Sequence, residues 1–328
     1  MGRLLKILTA VLSVLSVIGG GGVFWGYSEF RGPGPLAREA VVIIKQGSGA
    51  KAIARDLHQA GVLDGPLTFR AAARFSAGGP LKAGEYAFPA AISPEGVLRL
   101  LQSGKTVVRR VTFAEGLTTA EILSQMALTE GLKGIFTQAP AEGSLLPETY
   151  HFSYDDMRQA LVGRMSSAMR KLLADLWAKR APALPLNSPR EVLILASIVE
   201  KETAKAAERP RIAAVFLNRL AKGMRLQSDP TVVYGLTEGV RSLGRPLTAA
   251  DLKSPSPFNT YLIGGLPPSP ICNPGSASLE SVLRPAQTEE LYFVADGTGG
   301  HVFAKTLNQH NLNVAKWRKI RSERKNGQ

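Results

Sequence analysis

Apolar and charged positions are spread unevenly along the chain. Between Ile7 and Tyr27 there are 21 consecutive residues without a charge. A helix of that length spans roughly 32 Å at about 1.5 Å per residue, close to the thickness of a bilayer's hydrocarbon layer. Arg3 and Lys6 precede the run, and Trp25 and Tyr27 close it at the place of an interfacial aromatic belt. The pattern predicts a single-pass helix over residues 7–27. The positive-inside rule puts a stub at 1–6 in the cytoplasm and everything after about residue 30 outside. A cleaved signal peptide is the competing reading, with Gly19 to Gly22 as a small-residue stretch; the missing A-x-A and the length of the run argue for an anchor. The next longest apolar run, Val192 to Val199, is too short to cross a membrane.

Residues 28–40 contain Gly, Pro and charges and read as a linker. Beyond it the apolar period alternates between two and 3.6. Val41 to Lys45 is a β-rich run. Ala50 to Ala60 is an amphipathic helix with Ile53, Ala54 and Leu57 on one face and Gly61 past its end. A second helix is predicted from about Leu67 to Phe75, a short strand over Gly84 to Phe88, and a helix begun by Ser93-Pro94-Glu95 and stopped at Gly104. Thr106 to Phe113 alternates as a strand, and Thr118 with Glu121 forms a capping box ahead of Ile122, Leu123 and Met126. The segments IIKQGSGAKAIARDL, VTFAEGLTTAEILSQM and, more loosely, YAFPAAISPEGVLRLL repeat one plan of strand, turn and amphipathic helix. A small α+β module of this kind resembles a LysM-like glycan-binding unit; the plan also suits an ordinary small α+β domain.

Helical patterning returns around Met157 to Lys179, and RAPALPLNS (180–188) is a Pro-rich break. Ser188-Pro189-Arg190-Glu191 then starts a helix that is apolar nearly all round for two turns, as in a buried central helix. It ends in Glu200-Lys201-Glu202-Thr203. At about 100° per residue the two glutamates point roughly 160° apart. Glu202 stacks on Ile198, Leu195 and Val199, and Glu200 on Ala196 and Leu193. A carboxyl on an apolar stripe loses hydration when ionised, its pKa rises, and it keeps a proton near neutral pH, as a glycosidic general acid must. Either glutamate meets that description. Lys201, Lys205, Arg209 and Arg219 are also near in sequence, so a structural ion pair is the alternative.

The residues beyond this helix favour chemistry. Pro210 to Leu220 is a second amphipathic helix ended by Gly223. Leu226-Gln227-Ser228-Asp229-Pro230 reads as a polar turn before the apolar run Thr231 to Tyr234, and Asn259-Thr260-Tyr261 with Gly264 to Pro268 is a second polar loop. Amides, hydroxyls and carboxyls beside an aromatic ring suit sugar recognition, although Asp229 before Pro230 also suits a plain turn.

Composition narrows the classes. The chain has 328 residues, 45% hydrophobic and 20% charged, which excludes a disordered protein and suggests two domains. With one cysteine, Cys272, there is no disulfide framework or Cys-based zinc site, and no cysteine near the anchor for a lipoprotein linkage. Four scattered histidines lack ligand spacing, so no metal is expected, and without GxxxxGK[ST] or GxGxxG no nucleotide cofactor. Forty basic against 26 acidic residues give +14, an attraction to an anionic partner. Low aromatic content and the lack of any nucleic-acid motif argue against nucleic acid. The basic run Lys316 to Gln328 reads as a solvated, fraying tail.

ASIVEKET, ERPRIAAVFLNRLAKGMRLQSDPTVVYG, SPFNTYLIGGLPPSPICNPG and LYFVADGTGGHVF, in this order, resemble the endolytic murein transglycosylase (YceG-like) family. The similarity is most specific over residues 196–303. EGSLLPETY (Glu142 to Tyr150) resembles a further family block, with Leu146 where an aromatic is usual. The resemblance implies an α+β chain: transmembrane helix 7–27, linker 28–40, LysM-like subdomain 41–113, lytic transglycosylase domain 114–311, and basic tail 312–328. It implies a bacterial inner-membrane protein with its body on the periplasmic or outer side, no cofactor, glycan strands of peptidoglycan as substrate, and penicillin-binding polymerases as neighbours. It selects Glu202 as the catalytic acid; Gln227, Ser228, Asp229, Tyr234, Asn259 and Glu148 are the substrate-binding candidates read from the polar loops and blocks themselves. The implied reaction cuts the MurNAc–GlcNAc β-1,4 bond of nascent strands without water and leaves a 1,6-anhydro end, which would terminate elongation. A hydrolytic muramidase using Asp229 or Glu148 as its second group, and a non-catalytic wall-binding scaffold, are the competing functions.

Overall fold

A computed structural model describes residues 2–326. Met1 of the expected stub and Gly327 and Gln328 of the expected tail lie outside the described residues. The chain is α+β and divides into two compact units: one holds the chain up to Arg109 with His151–Asp155, the other Arg110–Tyr150 and everything from Asp156.

The first unit opens with helix α1 (Gly2–Arg31), whose apolar side chains from Ile7 to Tyr27 are exposed. The described part of this helix is long and apolar enough to cross a membrane. The helix runs four residues beyond the predicted span, and the segment read as a linker is not free. Phe30 and Leu36 pack on the unit's core, Arg31 pairs with Glu95 at 3.4 Å, Gly34 N–H donates to Ala91 O (3.2 Å), and Ala91 N–H donates to Leu36 O (2.9 Å). A Cβ on Gly34 would lie 2.2 Å from the Ile92 carbonyl oxygen, so only glycine permits this approach.

Strand β1 (Ala40–Ile44), helices α2 (Ala50–Gln59) and α3 (Pro66–Phe75), strand β2 (Gly84–Phe88) and helix α4 (Pro94–Ser103) come next. β1 and β2 pair antiparallel, Ala40 opposite Phe88 and Ile44 opposite Gly84. Both strands place alternate residues on the core formed by Ile44, Ile53, Leu57, Phe69, Tyr86, Phe88, Val97 and Leu101. The predicted punctuation is the observed punctuation: Ser93 caps α4 through Gly96 N, Pro94 occupies its first turn, and Gly104 closes it in the left-handed region at φ 72°.

In the second unit β3 (Arg109–Thr112), which begins in the first, is shorter than the predicted Thr106 to Phe113 strand. It leads to α5 (Thr119–Leu128) through the Thr118–Glu121 capping box. The three repeats therefore fold alike, as β1–α2, β2–α4 and β3–α5. The two-residue strands β4 (Leu132–Lys133) and β6 (Asp156–Met157) pair in parallel, and β5 (Thr149–Phe152) lies between them in sequence. Then come α6 (Arg158–Ala178), α7 (Pro189–Glu202), α8 (Arg209–Ala221), α9 (Asp229–Thr237), α10 (Ser276–Leu283), the antiparallel hairpin β7 (Tyr292–Ala295) and β8 (His301–Ala304), and α11 (Leu307–Asn326).

As its composition requires, α7 is central: Val192, Leu195, Ala196, Ile198 and Val199 are fully buried, and α6, α8, α9 and α10 pack around it. Ser188 Oγ accepts from Glu191 N–H (3.3 Å). Glu191 returns its carboxylate to Asn187 N–H (2.6 Å), one residue earlier than a capping box would. One sequence expectation changes here. Residues 229–237 are a helix that Asp229-Pro230 begins, with Pro in its first turn, rather than a turn and a short run. The basic C-terminal segment continues a helix, α11, that runs to Asn326 and packs on β7 and β8; Lys316, Arg318 and Lys319 within it are exposed.

Candidate active site

α7 delivers its two glutamates to different surroundings. Glu200, 5% exposed, accepts from Arg209 Nη2 at 3.2 Å and from Gly275 N–H at 2.9 Å, and Arg209 also reaches Glu115 at 3.3 Å. This is the structural ion pair that the sequence allowed for. Glu202, two residues on and across the helix, forms no ion pair among the described residues. Its Oε1 accepts a hydrogen bond from the Ser228 hydroxyl. The two readings of the glutamates are both realised, one on each.

Glu202 sits in a cleft of about 430 Å³ that it shares with Arg219, Gln227, Asp229, Tyr261 and residues of α11. Burial pushes its carboxyl up to about 7; the Ser228 hydrogen bond opposes this, the nearby Asp229 carboxylate adds to it, and the charges of His301 and Arg219 draw it back. A carboxyl so placed holds a proton near neutral pH and can both give and retake it.

The loop before α9 is built to hold Ser228 still. Gln227 adopts φ 53° and donates its N–H to Thr260 O (3.1 Å). Ser228 N–H donates to Thr260 Oγ1 (2.9 Å), and Thr231 Oγ1 donates to Ser228 O (2.7 Å) while accepting from Thr260 Oγ1 (2.8 Å). Arg219, 8% exposed, fixes the same loop from below. It donates to the carbonyls of Leu226 (2.7 Å), Arg225 (3.2 Å) and Leu291 (2.7 Å), and lies 5.3 Å from the Tyr292 ring. Burial lowers the pKa of its guanidinium.

The structure brings some predicted residues together and separates others. Ser228 touches Glu202, and Gln227 and Asp229 line its cleft; Asp229 Oδ1 accepts from the Tyr261 hydroxyl at 2.7 Å. Tyr234 lines a second cavity, whose lining shares Asp229 with the first; its hydroxyl donates to Glu142 at 3.3 Å and its ring packs 4.8 Å from that of Phe258. Asn259 is fully buried, with its amide spent on Leu252 O, Ser254 O and Tyr261 N–H; it shapes the loop that presents Tyr261. Glu148 is exposed and lines neither cavity. Cys272 is buried beside Ser197 O (3.3 Å), with its thiol pushed up by burial.

Sequence reasoning missed the contribution of α11. His310, Val314, Trp317 and Arg318 line the cleft of Glu202. Their spacing of four, seven and eight residues marks one helical face, the signal that a reading of the segment as charged tail passes over. His310 stacks on Tyr292 at 5.1 Å, burial lowers its pKa, and its buried Nδ1 has no hydrogen-bond partner among the described residues. Glu142 stands in one of the family-like blocks without an expected role. It gathers Thr119 N–H (2.8 Å), Thr119 Oγ1 (3.0 Å) and Asn273 Nδ2 (3.2 Å) into one buried network, and burial raises its pKa.

Fold and site define an α+β protein with an exposed apolar N-terminal helix and a body whose cleft holds a buried glutamate that forms no ion pair among the described residues. Residues 42–316 match the YceG-like family, and the chain belongs to that family. It is 30% identical over 317 residues to the endolytic murein transglycosylase of Bacillus subtilis strain 168, covering 86% of this chain and 85% of the relative. It is 32% identical to the endolytic murein transglycosylase of Streptococcus pneumoniae D39, covering 83% of this chain but 57% of that longer relative. The 2.6 Å crystal structure of a yceG-like protein from Listeria monocytogenes superposes with a TM-score of 0.51 at 31% identity, covering 84% of this chain and 98% of that one.

Proposed function

We propose that the chain is an endolytic peptidoglycan lytic transglycosylase in which Glu202 acts as both acid and base. It cuts the MurNAc–GlcNAc β-1,4 bond within nascent strands and leaves a 1,6-anhydro-MurNAc end, which stops elongation. The observation that carries this reading is a glutamic acid without a cationic partner, titrating near 7, in an open cleft of a chain from this family.

With Oε1 bound to the Ser228 hydroxyl, the proton belongs on Oε2. Glu202 gives that proton to the glycosidic oxygen, the C1–O bond breaks, and positive charge spreads over the muramyl ring. The muramyl 6-hydroxyl attacks C1 of its own ring, and its proton returns to Glu202. The nucleophile is tethered to its target, so no second carboxylate is needed to activate water. Asp229, held by Tyr261, faces the same cleft and offers negative charge to the developing cation.

Asp229 also supports the second reading, a muramidase in which it serves as base for a water molecule. Mass spectrometry of strands treated with the detergent-solubilised chain decides between them. An end lighter by one water is the transglycosylase product, and a reducing end of full mass is the hydrolytic one.

α1 serves as the anchor, the body faces the outer side of the cytoplasmic membrane, and the first unit, with two helices between paired strands, acts as a LysM-like glycan-binding element. Anchoring raises the local concentration of membrane-proximal strands and places the cleft among the polymerases that make them.

A further inference from the structure

Along one face α11 sends His310, Val314 and Trp317 into the cleft of Glu202. His310 is the polar member of that row. Its ring stacks on that of Tyr292, 5.1 Å between centroids and 24° between planes, which fixes its orientation. Nδ1 is buried and has no hydrogen-bond partner among the described residues, so Nε2 is the ring nitrogen left to face the cleft.

The state of the ring follows from its surroundings. Burial opposes a protonated imidazole, and so does the charge of Arg219, which lies 5.3 Å from the same Tyr292 ring. No carboxylate pairs with the ring among the described residues. A neutral imidazole holds one proton. On Nδ1 that proton would bury a donor with nothing to accept it. Asn313 Nδ2, a donor three residues further along α11, is itself buried without a partner among the described residues, so this interior lacks an acceptor rather than another N–H. The proton therefore belongs on Nε2, and His310 offers the cleft a donor that carries no charge.

Val314 and Trp317, four and seven residues on, set apolar surface beside that donor. An N–H next to an aromatic ring matches an acetamido group, whose carbonyl oxygen accepts and whose methyl packs on apolar surface; a sugar hydroxyl uses only the first half of the pair. Resting on the reading of the substrate as peptidoglycan, in which both sugars bear 2-acetamido groups, we infer that the α11 wall of the cleft is an acetamido subsite, with His310 Nε2–H donating to the carbonyl oxygen and Trp317 taking the methyl.

Binding in the non-cleaving E202Q background separates this inference from the reaction. The probes are purified uncrosslinked glycan strands and the same strands after enzymatic N-deacetylation. Deacetylation leaves charged amines, so the quantity compared is the effect of a His310 substitution on each strand, not one strand against the other. His310→Phe keeps a flat ring on Tyr292 and removes the N–H; His310→Gln returns an amide N–H near the place of Nε2. On acetylated strands H310F should weaken binding by E202Q about fivefold, the worth of one neutral hydrogen bond, and H310Q should recover most of it. On deacetylated strands H310F should make little difference. An unaltered affinity of H310F for acetylated strands, an equal loss on both strands, or an E202Q chain that binds neither strand overturns the inference. A chain with Glu202 intact that binds strands through His310 yet cuts none would refute the proposed reaction and leave the subsite standing.

Discussion

At the scale of the residue, the chemistry turns on how differently two glutamates two positions apart are treated. Glu202 binds its proton more tightly folded than unfolded, with a carboxyl at about 7 against an ordinary 4.5. Folding stability is therefore lost as pH rises through that interval, by about 3 kcal/mol once both states are ionised. Glu202→Gln removes this cost, so the variant should match wild type in denaturant unfolding below pH 4.5 and exceed it at pH 8. Strand cleavage should fall as pH rises through about 7, because the acid must start protonated. Ser228→Ala deletes a hydrogen bond that favours the ionised form, and should move this alkaline limb upward in a pH profile of kcat. A limb that stays in place would mean that Ser228 does not act on Glu202. That one carboxyl at this helix end would be buried on an apolar stripe was legible in the sequence. Which one was not, because Arg209 comes from the next helix and its choice of Glu200 is a tertiary event.

At the scale of the element, α7 is a rigid rod whose end is set by Glu200. Removing that carboxylate strands a largely buried guanidinium, so Glu200→Gln should cost about 3 kcal/mol in stability, with Glu115 keeping part of the pairing. Cleavage per folded molecule should stay near wild type, which kinetics corrected for the folded fraction would show. Elements with local punctuation were the readable ones: Ser93, Pro94 and Gly104 bound α4, and Thr118 with Glu121 begins α5. α11 lacks such signals and is strongly charged, and its cleft-facing row emerges only when His310, Val314 and Trp317 are read as one face. Trp317 offers that cleft an aromatic surface of the kind sugars stack on. Trp317→Ala should raise KM for glycan strands severalfold with little change in kcat; an unchanged KM would return α11 to a purely structural part.

At the scale of the whole molecule, the uncharged run Ile7 to Tyr27 pointed to an anchor and composition to a folded body, and residues of the linker segment 28–40 pack on the first unit. Within 28–40, Gly34 permits a close backbone approach to Ile92. Removing residues 2–27 leaves Phe30 and Leu36 on the first unit's core. The shortened chain should melt like the full one but no longer float with lipid vesicles; flotation unchanged would assign membrane binding elsewhere. The most direct test of Glu202 as the proton donor is product formation from purified strands by E202Q and E200Q side by side at pH 6, each confirmed folded. Cleavage is predicted to fall by at least about a hundredfold in E202Q, with near-normal release of ends lighter by one water in E200Q. Full cleavage by E202Q would contradict that role.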